Sequence, residues 1–366
     1  MRLDINKRQS MVVRGVVLAA GMMVIMALVA CTDDRGDSDH ASAPTSGSKP
    51  PPSPVVAVQT LPAFGVVVTT SIVADWVSII GNGRVEVSSL LPAGSDPHSY
   101  QPGPRAVGRI ADADLVFTVG LGLEASWLEE LIRNASTDPS KIVVLGDGVD
   151  PIDLVETYDY GDEVHDDEHE GESHDGEDHD EDSDQDDHDH GTLDPHFWFD
   201  PLRVMRAVND IADRLTVLDP EGGETYRGNA AAYGRELHEL HAWIQEQVGV
   251  LPSERRLLVT SHDSLSYFGQ VYGFEIVGTV FPEGQTDASP SAEDLTELVD
   301  AVEERSVPAV FGETTVRERL ANAVADETGA TVVRLYSGSL GPEGSGADTY
   351  IGMVRVNVER IVEALK

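Results

Sequence analysis

The chain has 366 residues with 65 Asp and Glu against 25 Lys and Arg, a formal net charge of −40, 40% hydrophobic content and one cysteine. This length accommodates two domains with their own cores, and the apolar content excludes a wholly disordered chain. The charge argues against nucleic acid or an anionic membrane surface as ligand, and a single cysteine excludes an internal disulfide framework or a multi-cysteine metal site.

Residues 1–14 carry Arg2, Lys7, Arg8 and Arg14 against Asp4, and an uncharged, largely apolar run follows over 15–30, closing on Leu28-Val29-Ala30-Cys31. A basic start followed by such a run reads as an export signal, and it is short for a membrane span, which needs about 20 apolar residues. Small residues before a lone cysteine resemble a lipobox, which makes residues 1–30 a lipoprotein signal peptide and Cys31 the lipidated residue. The alternative is an uncleaved anchor with a chance cysteine. Either way the remainder is expected outside the cytoplasm, held to the cell membrane. Residues 31–63 are rich in Ser, Pro, Gly, Ala and Asp, the composition of a disordered linker.

From there strand and helix signals alternate. Strands are expected at 66–70, 85–90, 115–119 and 142–145, with helices at 72–80, 105–113 and 124–135 between them. A helix with Pro201 in its first turn covers 201–218, and helical periodicity continues over 224–250, long for a globular helix. The alternation then restarts with strands at 257–260, 276–280, 309–311 and 331–335. Helices at 264–272, 291–304, 316–328 and 350–365 accompany them, the second opening on a capping box that begins at Ser291. Strands and helices in this order imply α/β architecture: two lobes of parallel sheet flanked by helices, joined by one long helix. The expected boundaries are an N-terminal lobe at 64–221, a linking helix at 222–251 and a C-terminal lobe at 252–366. Ligands of such sheets sit beyond the carboxyl ends of the strands.

Three histidines occupy that position. Asp96-Pro97-His98-Ser99-Tyr100 and Asp194-Pro195-His196-Phe197-Trp198 repeat one pattern, and His262 follows a strand directly in Val259-Thr260-Ser261-His262-Asp263. One histidine after a strand is more often a turn or cap residue. Three at equivalent places, two in an Asp-Pro-His context that restricts the backbone, point to a zinc-type site of three imidazoles and one oxygen. His238 and His241, spaced i, i+3 among Leu237, Leu240 and Ile244, read instead as part of an ordinary amphipathic helix.

Over about 65–365 the chain resembles the metal-binding solute receptors of zinc and manganese ABC importers. The resemblance rests on the two Asp-Pro-His stretches, the second running on to Phe199-Asp200-Pro201, on Thr260-Ser261-His262-Asp263-Ser264-Leu265-Ser266-Tyr267-Phe268, and on the closing stretch from Thr349 to Asn357. It implies a metal cleft between the lobes with His98, His196 and His262 as ligands. Manganese members of that family typically carry Glu at the place of His262, so an imidazole there tilts the choice to zinc. Many members also place an Asp ligand where this chain has Gly338, in Leu335-Tyr336-Ser337-Gly338-Ser339-Leu340. The fourth ligand is then Glu313, Asp348, a water or the insert; the competing reading of Glu313 is an orienting or helix-capping carboxylate.

Between positions 162 and 189 stand 17 acidic residues and no Lys or Arg, and His165, His169, His174, His179, His188 and His190 lie in the same region. Such a stretch cannot bury a core, and 159–191 is expected to be a disordered loop. Zinc-specific members of the resembled family often carry a His-rich acidic loop in this interval, so these six imidazoles are auxiliary zinc sites; a merely solvated charge run is the plainer reading. The expected function is therefore capture of Zn²⁺, as cargo and with Mn²⁺ ranked behind it, for a membrane ABC permease with a cytoplasmic ATPase. The protein is expected to be a monomer and not an enzyme. The competing readings are a manganese receptor or adhesin of the same family and, in a different class, a zinc metalloenzyme. The chain has no His-Glu-x-x-His helix.

Overall fold

The structure, a computed structural model, describes residues 64–154, 193–281, 286, 290–316 and 318–366. The export segment, Cys31, the linker and the six histidines of the acidic stretch lie outside the described residues.

The first half forms β1 (Phe64–Val68), α1 (Ser71–Gly81), β2 (Val85–Ser89), α2 (Pro104–Asp112), β3 (Leu115–Thr118), α3 (Leu128–Ala135) and β4 (Ile142–Val144). Its four strands are parallel in the order β2-β1-β3-β4. Two helices follow, α4 (Pro201–Leu218) and α5 (Gly223–Val248). The second half repeats the scheme with β5 (Leu257–Thr260), α6 (Ser266–Tyr272), β6 (Glu275–Thr279), α7 (Ala292–Arg305), β7 (Ala309–Glu313), α8 (Arg319–Thr328), β8 (Thr331–Leu335) and α9 (Tyr350–Leu365). Its sheet is again parallel, in the order β6-β5-β7-β8.

Local chemistry accounts for the elements. The central strands β3, β5 and β7 are buried along their whole length, as strands covered on both faces must be. Thr70 caps α1 by accepting from the amide of Val73, and Asp200 caps α4 by accepting from Leu202 ahead of Pro201. Ser291 and Asp294 form the expected capping box of α7.

Helices α3, α6 and α8 begin later than the sequence periodicity predicts, α8 at Arg319 rather than near 316. Helix α3 starts at Leu128 rather than near 124 because the Glu124 carboxylate turns back to accept from the amides of Val119 and Gly120, each at 2.9 Å. The intervening Gly120, Leu121 and Gly122 have φ of 80°, 54° and 83°, a left-handed path that no helix follows. Helix α6 starts at Ser266 rather than Ser264, whose amide closes a tight turn on the carbonyl of His262.

Helix α5 packs on α4, α1 and α9 and so touches helices from before and after it in the chain. One hydrophobic cluster runs from Val66, Phe117 and Trp76 through Ile211, Leu237 and Leu240 to Phe311, Tyr350 and Met353. Trp76 of α1 stands 6.0 Å from Phe197 and 5.5 Å, edge-on, from Tyr350. Both sheets thus share a core. Both also send the carboxyl ends of their strands into the segments that carry the histidines.

Candidate metal centre

His98 lies in the segment between β2 and α2, His196 ahead of α4, and His262 two residues past the end of β5. The repeated Asp-Pro-His pattern has a physical basis. In each copy the aspartate oxygen accepts from the histidine amide two residues on, at 3.0 Å for Asp96 and 2.8 Å for Asp194. These two turns fix the direction in which each ring leaves the backbone. His98 is braced further by Ser126 Oγ, which donates to its carbonyl, and by Trp127 Nε1, which donates to the Pro97 carbonyl, both at 2.9 Å. The His262 carbonyl accepts from Thr260 Oγ1 at 2.8 Å.

The three rings converge. Nε2 of His196 lies 3.2 Å from Nε2 of His98 and 3.1 Å from Nε2 of His262, and each of the three residues offers a ligand atom within 4.8 Å of the others. Tetrahedral zinc–nitrogen bonds of about 2.0–2.1 Å put neighbouring ligands about 3.3 Å apart, close to the spacing seen. His196 and His262 are 1% exposed and His98 is half-buried.

Behind two of the rings stand carboxylates. Nδ1 of His196 meets Oδ1 of Asp194 at 2.8 Å, and Nδ1 of His262 meets Oε1 of Glu313 at 2.5 Å. A proton held between Nδ1 and a carboxylate leaves the Nε2 lone pair directed into the cluster. The other Glu313 oxygen accepts from Ser337 Oγ. The sequence offers Glu313 as a candidate fourth ligand; the structure sets it behind His262, with both oxygens engaged by protein groups.

The electrostatics favour neutral rings at two positions. Burial, aided by the neighbouring imidazoles, holds His98 and His196 well below the usual histidine value. Burial would do the same to His262, but the Glu313 carboxylate beside it outweighs this and raises it. Burial pushes Asp194 up to about 7 and Asp263 up to about 6. The second oxygen of each has no hydrogen-bond partner, which makes the charged form costly there.

Other residues singled out from the sequence lie elsewhere. Asp348 is exposed and accepts from the Gly344 amide in its own turn. His238 is exposed on α5, its Nδ1 3.0 Å from the Gly234 carbonyl, and His241 Nδ1 is 3.0 Å from the Tyr272 hydroxyl. The roles of Asp194 as the partner of His196 and of Ser337 behind Glu313 escaped sequence reasoning. The only signal for the first was the repeated aspartate two residues before each histidine.

Two parallel α/β sheets around a common core, with three imidazoles gathered from strand-end segments of both, define a two-lobed metal receptor. Residues 66–364 match the family described as zinc-uptake complex component A, periplasmic, and the chain belongs to that family. Its members are metal-binding substrate-binding components of ABC importers, not enzymes, which removes the metalloenzyme reading. The manganese-binding lipoprotein MntA of Halalkalibacterium halodurans is 35% identical over 301 residues, covering 82% of this chain and 88% of that one. The manganese ABC transporter substrate-binding lipoprotein PsaA of Streptococcus anginosus is 29% identical over 346 residues, 93% of this chain and 95% of that one. The periplasmic zinc binding protein TroA from Treponema pallidum superposes with a TM-score of 0.69 at 27% identity, covering 83% of this chain and 99% of that chain. Among the described residues no helix is long and apolar enough to cross a membrane.

Proposed function

We propose that the protein captures zinc outside the cytoplasm and delivers it to a membrane ABC permease driven by a cytoplasmic ATPase. In this reading it is a monomer tethered by a lipid on Cys31, with lobes at 64–221 and 252–366 joined by the helix at 222–251. His98, His196 and His262 hold the ion. Glu313 acts on it through His262 rather than by direct ligation, because both its oxygens are bonded elsewhere. The histidines at 165, 169, 174, 179, 188 and 190 collect zinc weakly and feed the cleft.

The observation that supports the zinc assignment is the convergence of three Nε2 atoms, with no carboxylate oxygen among them from the described residues. Imidazole nitrogen suits zinc, whereas manganese favours oxygen ligands. The manganese reading draws on the names of the two relatives above and sets the control. Zinc and manganese should be titrated in competition into the chain, intact and lacking residues 162–190. One tight zinc in both forms, with weaker extra sites only in the intact one, is expected. Tight manganese that zinc fails to displace would reverse the assignment, and loss of the tight site on deletion would overturn the division of labour between cleft and loop.

A further inference from the structure

The acidic stretch leaves the described chain after Leu154 and returns at Leu193, three residues before His196. The two ends are bonded to each other: the Asp194 amide donates to the Ile152 carbonyl at 2.9 Å, and Asp153 and Leu193 form an antiparallel bridge. One side chain from the other half of the molecule holds both. The Tyr267 hydroxyl, on α6, accepts from the Ile152 amide at 3.3 Å and donates to the Asp194 carbonyl at 2.7 Å. Its ring is fully buried, with the Arg203 guanidinium 4.9 Å from its centre. Arg203 is itself fixed, donating to Asp200 Oδ2 at 2.6 Å and to the Asp150 carbonyl at 3.0 Å. The Asp194 whose carbonyl Tyr267 holds is also the residue whose carboxylate accepts from the amide and from Nδ1 of His196, both at 2.8 Å.

We propose that Tyr267 is a positioning residue for His196 and isolates that histidine from the acidic stretch, so that what happens to the stretch does not move the imidazole. This rests on the reading that His196 is one of three histidines holding the ion. The stretch has 17 acidic residues between positions 162 and 189 and no Lys or Arg, so any cation it takes up changes its charge and the forces on its two ends. The chain between Leu193 and His196 is the shortest covalent route by which those forces reach the site. Tyr267 blocks that route with a hydroxyl whose donor and acceptor capacities are both spent on the two ends, from a ring that packing does not let move. Phenylalanine would keep the ring and its place beside Arg203 and lose both bonds. The Asp194 backbone would then be free to follow the stretch, and zinc binding would have to restore the order that the hydroxyl supplies in advance. The worth of one buried hydrogen bond sets the size of that loss, about 5- to 10-fold in affinity.

The test is a double-mutant cycle on the full-length chain in detergent: parent and Tyr267→Phe, each with and without residues 162–190. Zinc affinity of the tight site is read by chelator competition, at free zinc too low to fill weaker sites. The two parent forms should bind equally. Intact Tyr267→Phe should bind about 5- to 10-fold more weakly, and removing 162–190 from it should recover most of the loss. A loss of the same size in both forms of Tyr267→Phe would mean that the hydroxyl merely supports the fold, and no loss in either would mean that it does not position His196; each overturns the proposal. Tyr226→Phe removes an equally buried hydroxyl that donates to Asp219 at 2.7 Å and should change neither form; the same pattern there would also overturn it. If Tyr267→Phe does not fold, Arg203→Leu, which releases the ring and leaves the hydroxyl, should show a smaller loss with the same dependence on 162–190, and a loss independent of the stretch would count against the proposal. Tight zinc retained in His196→Ala would sink the three-histidine reading itself, a separate failure.

Discussion

An imidazole whose Nδ1 is bonded to a carboxylate is a better ligand through Nε2, because its tautomer and its orientation are both set before the ion arrives. Asp194 does this for His196 and Glu313 for His262. Removing either charge by Asp194→Asn or Glu313→Gln should weaken zinc binding by about 10- to 100-fold, measured by competition with a chromophoric chelator. Full affinity in both variants would show that the carboxylates do not act on the metal. The same groups set the pH dependence. His262 lies above its ordinary value and Asp194 at about 7, so these are the groups holding protons near neutrality, while His98 and His196 are already neutral. Zinc held as proposed must expel the proton on His262, so its affinity should fall as pH drops through the raised value of that residue, above the ordinary 6.5. Calorimetry in buffers of different ionisation enthalpy should find no more than two protons released per zinc near pH 7; three would contradict the neutral state of His98 and His196. In Glu313→Gln the onset of this loss should move to lower pH.

At the scale of the element, segments with a purely local cause followed their sequence. Helix α7 is an example, since its cap needs only Ser291 and Asp294. Ser291→Ala should destabilise the chain by about 1 kcal/mol, read as a lower urea midpoint at unchanged slope. An unchanged midpoint would mean that α7 is held by packing alone. Helix α3 shows the opposite case. The run from Glu124 has helical periodicity, yet the carboxylate is worth more to the buried amides of Val119 and Gly120, which the left-handed turn leaves without strand partners. That turn carries Ser126 and Trp127 to the backbone of Pro97 and His98, so a shorter helix is what lets the first lobe support its histidine.

At the scale of the whole molecule, the shared core matters more than the division into lobes. Trp76, Phe197 and Tyr350 meet where α1, the segment after His196 and the start of α9 come together, and Tyr350 donates its hydroxyl proton to the Trp198 carbonyl at 2.6 Å. Asp75 of α1 accepts from the Tyr350 amide at the beginning of α9. Ties of this kind should make the described body unfold as one cooperative unit. Scanning calorimetry of the metal-free chain is expected to show one transition, and two resolved ones would refute the shared core. Zinc free at 100 times its dissociation constant should add about 2.7 kcal/mol of stability, visible as a higher midpoint that His262→Ala abolishes.

The α/β class, the order of strands and helices and the three histidines were legible in the chain because their signals are local: β-branched runs, helical periodicity, and an aspartate two residues before two of the histidines. The −40 charge was legible too, though it served mainly to exclude partners. The environment of the site was not legible. His262 and Glu313 are 51 residues apart, and Ser337 lies 24 beyond that glutamate. Gly338 reads as a missing side chain until Pro97 is found pressed against it. A candidate ligand can declare itself through its neighbours in sequence. What orients it and sets its charge is decided by groups that only the packed sheets bring within hydrogen-bonding distance.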